Sequence, residues 1–320
     1  METTGPRAGS SAPLALFVFR RYESTLRVLD ALAKCYEFSS TPVTIYSDAG
    51  RSSVEQQQVE RLREALRPRL PPNAQLVERK ENFGLAASVI DGVGDLVSRY
   101  GRAIVIEDDL LPAPPFLAWF NAALDRFQDE PRVMQVAAHM FDVAPIRRAG
   151  RGVFLQHPTS KGWAVWQRSW NRFDPECLDW QAKLADPGFR ARFRVRGAMR
   201  FEEMLRRQMA GRLSSWAIRF HYAVAKSDGL VLYPPMSLVE DVGRLAGQAT
   251  HGQRSAGLLP PATVWPYPEV PALPGEVAAD DWAIKAWADR IHRSPFALAR
   301  TAAAVRDIVA STLPLPKPPR

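Results

Sequence analysis

Four short β-rich runs, Leu14 to Phe19, Val43 to Tyr46, Gln75 to Val77 and Ala103 to Ile106, recur about thirty residues apart, the spacing of βαβ units. Between them the apolar residues take a helical period: Leu26, Leu29 and Ala33, then Val59, Leu62 and Leu66, then Leu85, Val89, Val93 and Leu96. Near-continuous apolar strands need cover on both faces. The pattern therefore predicts an α/β fold with a mostly parallel sheet flanked by helices, binding its ligands beyond the carboxyl ends of the strands.

Those strand ends are polar. They read Arg20-Arg21, then Ser47-Asp48-Ala49-Gly50, then Glu78-Arg79-Lys80-Glu81-Asn82-Phe83-Gly84, then Glu107-Asp108-Asp109. The last is the sharpest feature, because three adjacent acids repel one another and call for a cation. Carboxylate oxygens suit Mg²⁺ or Mn²⁺, which takes one or two protein carboxylates together with phosphates and water. If the strand stays extended, Glu107 and Asp109 share one face and Asp108 takes the other. A solvated acidic loop is the plain alternative. Arg21, Arg79 and Lys80 can face an anion, with Asn82 and Gly84 forming a turn that admits close backbone approach. Asp48 is either an acceptor for a base or ribose, or an ordinary turn acid.

Further along, Pro114-Pro115 open a helix that places Phe116, Phe120, Ala123 and Phe127 on one face, and Val133 to Ala137 reads as another strand. Most tryptophans follow, among them Trp163, Trp166 and Trp170, then an Arg-rich stretch and a helical segment near Met199 to Leu213. The prolines at 260, 261, 266, 268, 271 and 274 make that segment extended. From Ser294 a helical pattern of Leu298, Ala302, Val305 and Val309 either docks on the core or lies on a membrane. The divisions expected are a leader over 1–12, a first half of the main domain over 13–110, its second half over 111–255, a Pro-rich wrap over 256–276, and C-terminal helices over 277–320.

Composition narrows the function. Across 320 residues, 42 Lys+Arg against 34 Asp+Glu leave +8, which suits an anionic partner or simple solubility. No basic block with interleaved aromatics appears, so nucleic acid is not the expected partner. Two cysteines, Cys35 and Cys177, form neither a disulfide framework nor a zinc motif. No run approaches the roughly 18 apolar residues of a spanning helix, and the expected location is cytoplasmic, with peripheral contact at the inner membrane face as the variant.

Several segments occur together in order: Phe17-Val18-Phe19-Arg20-Arg21, Leu29-Asp30-Ala31-Leu32, Tyr46-Ser47-Asp48, Asn82-Phe83-Gly84-Leu85, Val105-Ile106-Glu107-Asp108-Asp109-Leu110, Gly162-Trp163-Ala164-Val165-Trp166, Ser215-Trp216-Ala217-Ile218-Arg219 and Thr250-His251-Gly252. This set resembles a bacterial GT-A type glycosyltransferase related to the N-acetylglucosaminyltransferase I group, over about residues 14 to 252. The resemblance implies a GT-A-like, Rossmann-related mixed sheet with a C-terminal helical extension, residues 13–110 being its nucleotide-sugar-binding half and 111–255 its acceptor-binding half. It implies Asp109 on Mn²⁺ or Mg²⁺, with His251 approaching the metal or diphosphate. Glu107 and Asp108 would face the nucleotide-sugar, and Arg21, Asp48 and Asn82 would line its pocket. Gly162, Trp163 and Trp216 would meet donor sugar and acceptor, although core packing is the alternative for the tryptophans.

One position departs from the family. Relatives carry an acid where Ser214 stands, and a serine lacks the pKa of a general base without a partner. Substitutes are Glu202, Glu203, Glu240 and Asp241, of which Glu240 and Asp241 are preferred. The expected activity is a metal-dependent, inverting transfer from a nucleotide-diphosphate sugar, UDP-sugar favoured, to a glycan, lipid-linked or small-molecule hydroxyl in polysaccharide biosynthesis. The competing reading, prompted by Ser214, is a non-catalytic nucleotide- or glycan-binding relative.

Overall fold

The computed structural model describes residues 11–199, 201–245 and 260–295. The leader and the helix expected from Ser294 fall largely outside the described residues, and His251 falls wholly outside them.

In chain order the elements are β1 (Leu14–Val18), α1 (Tyr22–Leu32), β2 (Val43–Ser47), α2 (Ser53–Leu66), β3 (Ala74–Glu78), α3 (Gly84–Tyr100), β4 (Arg102–Glu107), β5 (Leu110–Pro112), α4 (Phe116–Arg126) and β6 (Val133–Ala137). Then come α5 (Ala144–Ala149), β7 (Val153–Leu155), β8 (Trp163–Trp166), α6 (Gln167–Trp170), α7 (Trp180–Ala185), α8 (Pro187–Phe193), α9 (Phe201–Met209), α10 (Trp216–Lys226), β9 (Leu230–Tyr233), β10 (Val239–Asp241), α11 (Val242–Leu245) and α12 (Asp281–His292).

Among the described residues eight strands form one sheet in the order β3-β2-β1-β4-β8-β6-β9-β7. β1, β2, β3 and β4 pair in parallel, as do β6 and β9, while β8 and β7 run against their neighbours. The result is an α/β fold with a mostly parallel mixed sheet. Phe17 lies opposite Tyr46 on one side and Glu107 on the other, so the carboxyl ends of β1, β2 and β4 finish level with one another.

β1, β2 and β6 are buried at every position, and β4 at every position but Glu107, as expected for strands covered on both faces. One face packs Ala15, Phe17, Val105 and Val165 against Val89, Val93 and Leu96 of α3 and Phe220 of α10. The other packs Leu16, Ile45 and Ile106 against Val28 and Leu32 of α1, Leu62 and Leu66 of α2, and Phe116 and Phe120 of α4. Each such large side chain, fully buried, contributes about 1.5–3 kcal/mol.

The first helical stripe differs from the expected one. Thr25, Val28 and Leu32 are its buried residues, Leu26 and Leu29 sit at the margin, and Ala33 is exposed beyond the helix. Because α1 starts at Tyr22, its row three residues on from there faces the sheet.

A second, two-stranded sheet pairs β10 antiparallel to β5, with Asp241 opposite Leu110. Its register matters, because it brings the chain near residue 241 back beside the acidic triplet. The Pro-rich segment runs along the outside: Trp265 N donates to Ser237 O at 2.7 Å, and Gly152 N donates to Ala272 O at 2.8 Å.

Candidate active site

The ends of β1, β2 and β4 and the first turn of α3 enclose a cleft of about 800 Å³. Its lining includes Phe19, Arg21, Asp48, Asn82, Glu107 and Asp108. Arg20, just past β1, lines it too, as do Arg51 just before α2 and Gln58 and Arg61 on α2, the last three being residues the sequence reasoning missed. A local signal was present for one: Ser52 caps α2 by accepting from Glu55 N, and Glu55 in turn holds Arg51 at 2.5 Å.

At the floor, β4 ends at Glu107, and Asp108 and Asp109 form a turn. The expected alternation of faces is therefore broken. Arg21 Nη1 lies 2.6 Å from Asp108 Oδ1 and 2.9 Å from Asp109 Oδ2, so one guanidinium gathers both carboxylates to one side. Phe19 N donates to Asp108 Oδ2 at 3.2 Å, tying the turn to the end of β1.

Burial pushes Glu107 up to about 8, with repulsion from Asp109 and Asp108 adding to it and Arg21 and Lys161 opposing. Burial likewise pushes Asp109 up to about 6, with Arg21 opposing and Asp108 and Asp241 adding. Asp108 is raised by burial too, despite its bonds to Arg21.

Asp241 joins this cluster. Val242 N donates to Asp109 O at 2.9 Å, and Lys161 Nζ lies 2.5 Å from Asp241 Oδ2. Gly243 presses on Asp109 so closely that a Cβ there would stand 2.3 Å from Asp109 Oδ2. Any larger residue would displace that carboxylate. Glu240, one residue earlier in β10, is exposed and lines a separate shallow hollow with Arg27, Asp30 and Lys34. The strand alternation separates the two preferred acids, with Asp241 toward the triplet and Glu240 away from it.

The other expected residues divide. Asn82 lines the cleft and donates from Nδ2 to Ala49 O at 2.5 Å. Gly84 lines it as well, with φ +71°, which a side chain would strain. Asp48 lies in the cleft wall, but its carboxylate accepts from Ala49 N, Phe83 N and Gly84 N at 2.9–3.0 Å. It locks the loop to the start of α3, where a negative charge also meets the helix dipole. Arg79 turns away from the cleft: it bonds Asp91 at 2.8 Å and lies 4.1 Å over the Phe83 ring. Its guanidinium braces the loop in place of the expected diphosphate contact.

Trp163 and Trp216 present no ring face to the cleft. Trp163 is fully buried and stacks on Trp216 with centroids 4.6 Å apart, and Trp170 and Phe220 complete the cluster. Each ring covers the next, so they pack the core where sugar contact was expected. Gly162 adopts φ +66° because Ala138, Phe116 and Val239 leave no room for a side chain, and its carbonyl accepts from Ala138 N. Ser214 is exposed in the loop before α10, and its neighbour Ser215 caps that helix. Among the described residues no hydrogen bond joins Ser214 to the acids. Glu202 is held by Arg194 at 2.8 Å, and Glu203 is exposed on α9.

The residues present fit a divalent cation. Four carboxylates, Glu107, Asp108, Asp109 and Asp241, face two cations, Arg21 and Lys161, and the upward shifts of Glu107 and Asp109 come first from burial and then from repulsion among these carboxylates. Among the described residues no three acidic, His or Cys side chains converge to hold a metal alone. A carboxylate such as that of Asp109 suits an ion that completes its shell with phosphate and water.

No family model matches the chain, and no curated protein matches it. Solved structures do. The mannosyltransferase PcManGT from Pyrobaculum calidifontis, in complex with GDP-Man and Mn²⁺, is 15% identical with a TM-score of 0.39, over 70% of this chain and 75% of that one. A putative nucleotide-diphospho-sugar transferase from Desulfovibrio desulfuricans is 12% identical with a TM-score of 0.37, over 77% and 91%. Glucosyl-3-phosphoglycerate synthase from Mycobacterium tuberculosis, in complex with Mn²⁺ and UDP, is 12% identical with a TM-score of 0.31, over 52% and 60%. At such scores the likeness carries no functional argument.

Proposed function

We propose that this chain is a metal-dependent, inverting glycosyltransferase of GT-A type, related to the N-acetylglucosaminyltransferase I group, that uses a nucleotide-diphosphate sugar, UDP-sugar favoured. The observation that carries the reading is the floor of the cleft, where Asp108, Asp109 and Asp241 outnumber Arg21 and Lys161 beside a pocket of nucleotide size. Asp109 would hold Mn²⁺ or Mg²⁺, which would supply neutralisation of the negative charge on the departing diphosphate.

The chain's own residues account for the rest. Arg21 fixes Asp108 and Asp109 in one orientation, and Asp48 and Asn82 hold the turn that opens the nucleotide pocket at Gly84. An acceptor hydroxyl attacks the anomeric carbon as the bond to the diphosphate breaks, and the leaving group keeps the bonding electrons. The hydroxyl proton needs a carboxylate, and Asp241 is the preferred base because Glu240 faces away. A Ser214 exposed to solvent, with no acid bonded to it among the described residues, keeps a second reading alive, a relative that binds donor without turning it over.

The acceptor is proposed as a glycan, lipid-linked or small-molecule hydroxyl met at the cytoplasmic face of a membrane. Among the described residues no helix is long and apolar enough to cross one. A screen of UDP-, GDP- and dTDP-sugars with and without Mn²⁺ tests the reading: Mn²⁺-dependent donor hydrolysis or transfer supports the enzyme. Binding without turnover across many acceptors favours the second reading.

A further inference from the structure

The loop between β7 and β8 carries a cation that the expected motif passed over. Gln135 holds this loop from β6, accepting from Thr159 N at 2.9 Å and donating to Thr159 O at 3.1 Å. Lys161 N donates to Thr159 Oγ1 at 3.1 Å, and Gly162 O accepts from Ala138 N at 2.8 Å. The Lys161 backbone is thus pinned on both sides, and only its four-carbon side chain is free to move. That side chain retains 31% exposure, with its ammonium 2.5 Å from Asp241 Oδ2. Its charge also acts on Glu107 and Asp109, so it stands within electrostatic reach of the whole acidic floor.

Arg21 is placed differently. Its planar guanidinium bridges Asp108 and Asp109, with only 16% of the side chain exposed, so moving it would unpair two carboxylates at once. Lys161 gives up a single contact, to one carboxylate oxygen of Asp241. A lysine ammonium is a mobile point charge that suits phosphate as well as carboxylate, and a diphosphate offers it more negative charge than one aspartate.

We propose that Lys161 changes partner when donor binds, its ammonium leaving Asp241 for the diphosphate. This rests on the transferase reading above. Lys161 then binds donor directly, and Asp241 is its resting partner in the empty enzyme. The two residues must therefore act on diphosphate affinity with opposite signs.

Calorimetric titration of the full chain with UDP and GDP in Mn²⁺, without acceptor, tests this, with uridine and guanosine as controls. Lys161→Met is expected to weaken the diphosphate about tenfold or more, the scale of one charge-assisted hydrogen bond, and to leave the nucleoside unchanged. Lys161→Arg retains most of the affinity. Asp241→Asn is expected to tighten the diphosphate several-fold, and to have no such effect on a Lys161→Met background. Wild-type affinity in Lys161→Met, or weaker binding in Asp241→Asn alone, overturns the exchange and leaves the transferase reading standing. A wild-type chain that binds neither diphosphate overturns both. Melting curves on each variant separate lost binding from lost fold.

Discussion

The two halves of the sheet use buried space in opposite ways. Over β1, β2 and β4 the strand ends bury charge: Arg21 against Asp108 and Asp109, and Asp48 against three backbone N–H groups. Over β8 and α10 the interior buries rings, with Trp163, Trp170, Trp216 and Phe220 stacked on one another. Charge in low dielectric is costly unless paired, so the first half stores an electrostatic imbalance that a ligand can relieve. The second is a close-packed support built mainly of stacked rings. Substitutions should therefore separate into those that unfold the protein and those that blind it.

Trp163→Ala carries the largest expected effect, a loss of about 3–5 kcal/mol of stability from the cavity left among the rings. Denaturant melts read it, and nucleotide affinity measured on the remaining folded protein should stay within about twofold. Asp48→Ala comes next, because three backbone donors lose one charged acceptor; about 2 kcal/mol is expected, together with weaker donor binding as the turn at Gly84 loosens. Affinity that is unchanged in this variant would make the loop irrelevant to the donor.

The pH response should also divide the halves. Glu107 at about 8 and Asp109 at about 6 lie above their ordinary values, so their contribution is present at low pH and is lost as pH rises through those values. In the ring-rich half burial holds His157 down at about 3 and His221 at about 4. Their contribution is present above about pH 6.5 and is lost as pH falls through those values. The melting temperature should therefore drop toward both pH extremes, and Mn²⁺ should restore it mainly on the alkaline side. Restoration by Mn²⁺ on the acid side instead would place the metal elsewhere. The smallest effect belongs to Glu240→Gln, expected within about 0.5 kcal/mol in stability and silent in turnover, since that side chain faces away from the cleft.

Much of this architecture is legible in the chain. The spacing of the β-rich runs locates β1 to β4, most plainly β1, β2 and β4, since a buried strand leaves its mark in every residue, and the acids after β4 lie where a ligand crevice is expected. Other features depend on partners far along the chain. Trp163 looks like a sugar platform until Trp216 is known to lie on it. Arg79 looks like a phosphate ligand until Asp91 and Phe83 are placed around it. Asp241 and Glu240 are adjacent and alike, and only the pairing of β10 with β5 turns one toward Asp109. Lys161 passed unnoticed because its partner lies 80 residues away.

The most direct test of the central claim, that the acids at the end of β4 form a metal-assisted nucleotide-sugar site, is calorimetry of UDP- and GDP-sugar binding by wild type and Asp109→Asn, each with and without Mn²⁺. Binding to wild type that requires Mn²⁺ and falls about a hundredfold in Asp109→Asn, with an unchanged melting curve, is the predicted result. Equal binding by both proteins irrespective of Mn²⁺, or none by wild type, would contradict it.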